Sequence, residues 1–275
     1  MTTFALALGG GGARGLAHIA IIEALDEMGA KPVAIAGTSI GALIGAGYAA
    51  GMRGKDIRRH VLRLAHDRGE TTRRLIAARA GSLADIFAGA FGQAAQIDAE
   101  KFCAQFLPAA VPPDFSQLAI PLVVMTTDLH RREEAALTTG PLHAALAASI
   151  AIPGLMRPVA IGNRILIDGG TANPLPFDRL HGLADVIIAV DVLSQPPAER
   201  ADIPSPWASM ITTLNIMGGA IIAAKLAQKP PDIVIRPRVG IFRTLGFYQA
   251  TAILRAANAV KPEVKKRLGR LLASS

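Results

Sequence analysis

Residues 4–15 read Phe-Ala-Leu-Ala-Leu-Gly-Gly-Gly-Gly-Ala-Arg-Gly, an uncharged apolar run that leads into four consecutive glycines. A short apolar run bounded by glycine is typical of a buried parallel strand. Apolar residues at helical spacing follow it up to Gly29, which predicts a helix that ends there. Residues 33–36 then repeat the pattern of strand and turn, before a small-residue helix at 42–50. This alternation predicts a wound α/β sheet with right-handed crossovers.

The rest of the chain continues the same alternation of strands and helices. Its 275 residues suit one domain, 1–275, without an internal repeat. We predict further strands at 120–126, 165–167, 186–190 and 233–235. We predict helices at about 208–228 and 247–260 and a last helix opened by Pro262.

Composition narrows the classes of partner. The chain has 29 Lys and Arg against 21 Asp and Glu, a net charge of +8, which favours anionic partners. Twelve aromatic residues offer few platforms for stacking bases, and no nucleic-acid motif is present, so we expect no nucleic acid and favour an anionic membrane. The single Cys103 excludes an intrachain disulfide.

The basic residues are concentrated early in the chain. Nine Lys and Arg face three acids between Arg53 and Arg79, a local charge of 9 − 3 = +6. Residues 53–115 also have a helical composition. We predict a helical basic segment at about 53–115 that covers the site, and two readings of its charge stay open, a solvated helix face and a peripheral contact with anionic lipid.

Two signals bear on location. The chain begins without a basic region before its apolar start, so we expect no export signal and place the protein in the cytoplasm, peripheral to the inner face of the membrane. The uncharged runs at 32–52 and 203–224 are interrupted by a glycine turn and by polar residues, respectively. We therefore do not predict a membrane-spanning helix in either run.

The glycine loop matches G-x-G-x-x-G between Gly10 and Gly15, after a strand and before a helix. A dinucleotide site also needs an acid at the end of the second strand, where this chain has none. A P-loop needs Lys-Ser/Thr where Leu16 stands. Glycines at a helix N-terminus instead expose backbone N–H groups to an anion, and an oxyanion that develops during a reaction suits them.

Residues 37–41, Gly-Thr-Ser-Ile-Gly, match the nucleophile elbow, a sharp turn between strand and helix that exposes a serine hydroxyl. The pentapeptide alone has little specificity, but it lies between a β-run and a helix of small residues, as an elbow must. Ser39 is therefore the candidate nucleophile, and the backbone N–H of Ile40 a candidate oxyanion donor.

The partner that takes the serine's proton has two candidates. Asp168 directly follows the predicted strand at 165–167, and Gly169 and Gly170 permit a tight turn beside it. His181 comes after a plausible acid, as a Ser-His-Asp esterase of the α/β-hydrolase type requires, but no motif surrounds it. His18 and His143 fall on apolar helices and are interpreted as buried structural histidines.

Taken in order, the motifs at 10–15, 37–41 and 168–170 resemble the three signatures of patatin-like phospholipases. Residues 148–154 and 173–176 resemble bacterial members, and the likeness covers about residues 4–192. It implies a three-layer α/β/α fold with a mostly parallel central sheet. It also implies hydrolysis of lipid acyl esters by a serine–aspartate dyad, with no histidine, metal or cofactor.

Carried over residue by residue, the resemblance makes Ser39 the nucleophile and Asp168 the base. It assigns the oxyanion site to Gly10, Gly11, Gly12 and Arg14, and motif positions to Gly15, Gly37, Gly41, Gly169 and Gly170. We expect burial to raise the basicity of Asp168, and we expect no acid limb in the pH–rate profile near the histidine pKa of about 6.5. The alternatives are the His181 esterase and a non-catalytic basic protein that binds membranes.

Overall fold

The computed structural model describes residues 2–79, 96–195 and 203–273. Within these ranges, eight strands form one sheet in the order β5-β6-β3-β2-β1-β7-β8, with β4 also paired to β3. The strands are β1 (Phe4–Leu8), β2 (Ala34–Thr38), β3 (Leu122–Asp128), β4 (Glu133–Leu137), β5 (Val159–Ile161), β6 (Arg164–Asp168), β7 (Val186–Val190) and β8 (Ile233–Ile235).

Helices connect the strands on both faces of the sheet. They are α1 (His18–Glu27), α2 (Ile40–Ala49), α3 (Gly54–His66), α4 (Arg68–Ala77), α5 (Ala99–Phe106), α6 (Leu142–Ser149), α7 (Pro206–Gln228), α8 (Ala250–Ala257) and α9 (Lys261–Ala273). Six short 3₁₀ turns complete the described secondary structure, among them Gly12–Ala17, between β1 and α1.

The sheet is parallel in its centre and antiparallel at one side. β3, β2, β1, β7 and β8 run parallel, whereas β4 and β6 pair antiparallel with β3. All six strands predicted from apolar runs are present, with bounds shifted by two residues at most. β4 and β5 were not predicted, because β4 begins with two glutamates, β5 has only three residues, and both are partly exposed.

The two faces of the sheet pack against unequal helical layers. Along β1, Phe4, Leu6 and Leu8 belong to the large core formed with α1 and α2. Ala5 and Ala7, which point the other way, belong to a smaller core with Phe177 and Leu180 and with Ile222 of α7. Alternate side chains of a strand face opposite sides, so this pattern defines three layers. The expected α/β/α architecture is therefore confirmed.

β2 and β6 end against the same edge of β3. Thr38, the last residue of β2, is paired with Met125, and Asp168, the last residue of β6, is paired with the next residue, Thr126. β4 pairs with residues 124–128 of β3 and so occupies its other edge. The carboxyl ends of β2 and β6 therefore meet head to head, which brings residues 39 and 168 together.

The basic segment at 53–115 includes α3, α4 and α5, while residues 80–95 lie outside the described ranges. Four of its nine early cations form ion pairs: Arg58 with Glu23, Arg59 with Asp56, and Arg73 and Arg74 with Glu70. That this segment covers the site stays a prediction.

α7 differs from the other described helices in length and exposure. By length and composition it is apolar enough to cross a membrane, with a mean hydropathy of 1.5 over its best window. Of its 23 residues, Ile211, Gly218 and Ile222 are buried against the rest of the chain. The expectation that this run does not span a membrane stays a prediction.

Candidate active site

The turn between β2 and α2 holds Ser39 in a strained conformation. Its φ of 55° and ψ of −125° lie in a region that residues with a side chain rarely adopt. A Cβ at Gly37 would lie 2.6 Å from Cα of Ala42, and one at Gly41 would lie 2.2 Å from the carbonyl oxygen of Leu8. The two glycines of the motif are therefore needed for the turn to close, and the geometry is that of a nucleophile elbow.

Asp168 meets Ser39 directly. The Ser39 hydroxyl donates a hydrogen bond of 2.7 Å to Oδ2 of Asp168, and the backbone N–H of Gly170 donates one of 2.7 Å to Oδ1. A Cβ at Gly169 would lie 2.3 Å from the carbonyl oxygen of Met125, so only glycine allows β6 to turn this close to β3. The serine and the carboxylate are both buried, at 7% exposure each.

Burial raises the pKa of Asp168 to about 6, against the opposing effects of the hydrogen bonds from Gly170 and Ser39. Water is largely excluded from the carboxylate, so its charged form is poorly solvated. The expected rise in basicity agrees with this value. The expected absence of an acid limb near pH 6.5 stays a prediction, and a carboxyl group with this raised pKa would itself produce a limb close to that pH.

Ser149, at the end of α6, is hydrogen-bonded to the backbone of the elbow. Its hydroxyl accepts a 2.9 Å hydrogen bond from the backbone N–H of Ser39 and donates one of 2.7 Å to the carbonyl oxygen of Met125. The hydroxyl thus satisfies the buried N–H of the strained residue and ties it to β3. No role for Ser149 was predicted from the sequence, since a serine in an apolar helix carries no local signal of this contact.

The glycine loop lines the cavity beside Ser39 with Gly10, Gly11 and Gly12. The N–H of Gly10 is already used, because it donates a 2.8 Å hydrogen bond to the carbonyl oxygen of Pro174. Among the described residues, no acceptor is bonded to the N–H groups of Gly11 and Gly12. These two groups can serve an oxyanion, together with the N–H of Ile40 at the first position of α2. Gly10 lines the cavity and anchors the loop.

Close packing holds the loop in place. Gly12 has a φ of +58°, and a Cβ there would lie 2.1 Å from the carbonyl oxygen of Thr244, which accepts the N–H of Ala13 at 2.7 Å. A Cβ at Gly15 would lie 2.1 Å from Cγ2 of Ile40. Both positions require glycine because the loop passes so near its neighbours.

Arg14 is buried, and its Nε donates a 2.8 Å hydrogen bond to the carbonyl oxygen of Phe242. It is not among the residues that line the cavity. The side chain thus joins the glycine loop to the segment around Phe242. Its predicted contribution to the oxyanion site stays a prediction.

A cluster of polar side chains holds the segment after Asp168 by hydrogen bonds and an ion pair. Nδ2 of Asn173 donates hydrogen bonds to Glu134 at 2.7 Å and to Asp178 at 3.0 Å, and Lys225 of α7 lies 2.9 Å from Asp178. The backbone carbonyl of Asn173 accepts a 2.7 Å hydrogen bond from the hydroxyl of Thr38. The cluster therefore links the strand that carries the serine to the turn that carries the aspartate.

The histidine of the alternative esterase lies elsewhere. The ring of His181 packs edge-on against Phe177, with centroids 6.2 Å apart, and His181 does not line the cavity. His18 bonds to the carbonyl oxygen of Gly9 at 2.8 Å, and burial lowers its pKa to about 4. It is thus a buried structural histidine, as interpreted. The structure does not bring to Ser39 the histidine that a triad needs.

No group of three or more metal-binding side chains that could hold an ion is found in residues 2–79, 96–195 and 203–273. These residues therefore do not form a cluster of side-chain metal ligands. That the reaction needs no cofactor stays a prediction.

A cavity of about 80 Å³ opens beside the serine and the aspartate. Its polar floor comes from the glycine loop, Ser39 and Asp168. Its walls are largely apolar and come from the segment after α6 (Ile152, Pro153), the segment after β7 (Leu193), α7 (Ile211, Leu214, Met217) and Thr244. A polar floor under apolar walls suits a substrate with one reactive polar group and an apolar chain.

Comparisons with known proteins agree with this site. The family model described as patatin-like phospholipase matches residues 6–181. An uncharacterized NTE family protein of Mycobacterium tuberculosis is 40% identical over 189 residues, which cover 68% of this chain and 48% of that protein. The lysophospholipase nte1 of Aspergillus fumigatus is 31% identical over 192 residues, 68% of this chain and 12% of that protein.

The chain thus spans about half the length, or less, of these relatives. The crystal structure of VipD from Legionella pneumophila shares the fold, with a TM-score of 0.52 and 13% identity, over 97% of this chain and 67% of that one. The family model covers all three motifs, at 10–15, 37–41 and 168–170. By its motifs, its fold and this match, the chain belongs to the patatin-like phospholipase family.

Proposed function

We propose that this chain hydrolyses the acyl ester of a phospholipid, with Ser39 as nucleophile and Asp168 as the only general base. The observation that carries the proposal is the 2.7 Å hydrogen bond from the serine hydroxyl to the carboxylate, at the floor of an apolar cavity. The bond already lies along the path by which a proton would leave the attacking oxygen.

In the first half-reaction, Oγ of Ser39 attacks the ester carbonyl carbon while its proton passes to Oδ2 of Asp168. The carbonyl oxygen becomes an oxyanion held by the N–H groups of Gly11 and Gly12. The tetrahedral intermediate then collapses, the bond to the leaving alcohol breaks, and Asp168 returns the proton to that alcohol. An acyl ester of Ser39 remains.

In the second half-reaction, a water molecule attacks the acyl carbon and gives its proton to Asp168. Collapse of the second intermediate breaks the bond to Oγ, which recovers the proton, and the fatty acid leaves. A carboxyl group with a pKa of about 6 is largely ionised at neutral pH and more basic than an ordinary aspartate. Much of the rate must still come from the oxyanion donors, at about 2.7–4 kcal/mol for each.

The substrate class follows from the cavity and from a relative. The cavity is small, and its walls are mostly apolar side chains, which suits one acyl chain better than two. The relative from Aspergillus fumigatus is named a lysophospholipase. We therefore favour single-chain lysophospholipids over diacyl phospholipids as substrates.

The test compares the parent chain with Ser39→Ala, Asp168→Asn and Ser116→Ala, the last an exposed serine far from the cavity in sequence. Each is incubated with a fluorophosphonate probe and, separately, with lysophosphatidylcholine and diacyl phosphatidylcholine. We expect covalent labelling at Ser39, release of fatty acid mainly from the lysolipid, and loss of both in Ser39→Ala. Asp168→Asn should lower hydrolysis by about 10²–10⁴-fold, and Ser116→Ala should behave like the parent.

Two results would contradict the proposal. A folded parent chain that neither reacts with the probe nor releases fatty acid would favour a non-catalytic basic protein. Activity that survives Asp168→Asn but is abolished by His181→Ala would favour the histidine-dependent esterase.

A further inference from the structure

The mouth of the cavity is surrounded by exposed apolar side chains. Met217 lines the cavity and is 54% exposed, and Ile216 beside it on α7 is 68% exposed. Nearer the start of α7, Trp207 and Met210 lie next to Gly154, where a Cβ would contact each of them at 3.1 Å. Gly154 follows Pro153, which also lines the cavity. Apolar side chains are therefore continuous from the cavity wall to the surface.

The turn that faces α7 extends this surface. Nδ2 of Asn215 donates a 2.7 Å hydrogen bond to Oγ1 of Thr244, and both residues line the cavity. Ile241, in the same connection between β8 and α8, is 62% exposed. We name the set of Trp207, Met210, Ile216, Met217 and Ile241 the mouth surface.

Cations outnumber acids in the segments that carry the mouth surface. Residues 203–260 hold six cations and one carboxylate, Asp232, which accepts a hydrogen bond from the N–H of Ile187. Lys225 and Arg236 are paired with the carboxylates of Asp178 and Asp191. Arg238 and Arg243, in the segment that carries Ile241, are exposed. An apolar patch beside cations, with few acids to oppose them, is complementary to an anionic bilayer, whose surface is negative and whose interior is apolar. Two copies of the patch would instead bring like charges together.

We propose that the mouth surface docks on an anionic phospholipid bilayer, with α7 lying along the interface and the cavity opening toward the lipid. The proposal rests on the proposed function, since it explains how a lipid ester reaches Ser39. It also moves the membrane contact from the basic stretch at Arg53–Arg79, where four cations are paired with carboxylates, to α7 and the segment that carries Ile241.

The chain carries its own reporter of docking, because its one tryptophan, Trp207, belongs to the mouth surface. Ser39→Ala protein, which cannot consume the lipid, is titrated with vesicles of phosphatidylcholine, with and without phosphatidylglycerol. We expect a blue shift of the tryptophan emission with the mixed vesicles and a much smaller one with phosphatidylcholine alone. High salt should weaken it. Brominated lipids should quench Trp207 most strongly when the bromines lie near the head groups.

Matched variants locate the contact. Ile216→Glu and, separately, Ile241→Glu should lower the apparent vesicle affinity at least tenfold. Leu183 is about equally exposed (53%) and precedes β7, at the amino end of that strand. Leu183→Glu should therefore leave the vesicle affinity unchanged. The pair Arg238→Glu and Arg243→Glu should weaken vesicle binding far more than the pair Arg53→Glu and Arg63→Glu, since only cations close to the bilayer are attracted by its negative surface.

Several results would overturn the proposal. One is an unchanged tryptophan emission with mixed vesicles. Another is a loss of vesicle affinity in Leu183→Glu, or in the Arg53 and Arg63 pair, as large as in the variants of the mouth surface. A third is quenching of Trp207 that is strongest when the bromines lie at the bilayer centre. A shift that develops with protein concentration in the absence of lipid would assign the surface to a second copy. Probe labelling of Ser39 in the parent chain is independent of all these readouts. If Ser39 is labelled but the protein does not bind vesicles, only this proposal is contradicted. If the protein binds vesicles but Ser39 is not labelled, only the proposed function is contradicted.

Discussion

Thr38 and Asp168 are paired with adjacent residues of β3, Met125 and Thr126, so that β2 and β6 end facing one another. This arrangement sets the distance between Ser39 and Asp168, the proposed nucleophile and base, because Ser39 directly follows Thr38. Oγ of Ser39 and Oδ2 of Asp168, from residues 129 positions apart in the chain, are thereby held 2.7 Å apart. The strand that positions them, β3, contributes no reacting group.

The ionisation of Asp168 should govern the acid side of catalysis. Its carboxylate form accepts the proton, and its pKa is raised to about 6, so kcat/KM should fall tenfold per pH unit below about pH 6. The measurement is a pH–rate profile on a soluble ester at two temperatures. A carboxyl group ionises with little heat, so the limb should hardly move on warming.

The control for this profile is His181→Ala, which should retain the limb. A limb that shifts to lower pH on warming, as an imidazole does, or that vanishes in His181→Ala would assign the titration to histidine.

The same carboxylate should destabilise the folded chain at high pH. A folded-state pKa above the unfolded value means that the folded chain holds the proton more tightly, so its stability falls as pH rises through about 4–6. Between the ordinary value and about 6, the cost is roughly 3 kcal/mol. Asp168→Asn carries no charge at any pH and should be more stable than the parent at pH 8, with the difference shrinking at pH 4. Urea denaturation at the two pH values measures it; a difference independent of pH would contradict it.

Ser149→Ala should weaken both the fold and the activity. The substitution leaves the buried N–H of Ser39 without its 2.9 Å acceptor, a loss of about 1–3 kcal/mol. It also releases the strained serine from β3, so we expect kcat to fall while KM stays nearly constant. Urea denaturation and steady-state kinetics check this, with Ser116→Ala as the exposed-serine control. If Ser149→Ala has the stability and kcat of the parent, the conformation of Ser39 does not depend on the hydrogen bond to Ser149.

Gly12→Ala should displace the glycine loop. Its Cβ would lie 2.1 Å from the carbonyl oxygen of Thr244, so the loop must move, at a cost of about 1–3 kcal/mol in stability. We expect activity to fall about a hundredfold, because the N–H groups at 11 and 12 move with it.

Gly162→Ala is the matched control for this variant. Gly162 has nearly the same φ, +60°, but nothing lies within 4 Å of its Cβ position. It should therefore show only the cost of the left-handed conformation and keep full activity. Equal effects in the two variants would mean that backbone strain, and not the contact with Thr244, accounts for the loss.

Local sequence predicted the elements and the reacting groups. The apolar runs that became β1, β7 and β8 match the described strands closely, because a strand buried on both faces is apolar throughout. The motifs at 10–15, 37–41 and 168–170 were recognisable because their glycines stand where a Cβ would strike the backbone or a neighbouring side chain.

Tertiary structure decided what those groups touch. The pairing of Gly10 with Pro174, the support of Ser39 by Ser149 and the placement of α7 over the cavity each join distant segments, and no local pattern encodes them. The same holds for the pKa of Asp168, which rises because the folded chain shields the carboxylate from water. Sequence alone thus determined which side chains are able to react, since that is a property of residue type and local backbone. Only the fold determined their distances, solvent exposure and basicity, since these depend on contacts between residues far apart in the chain.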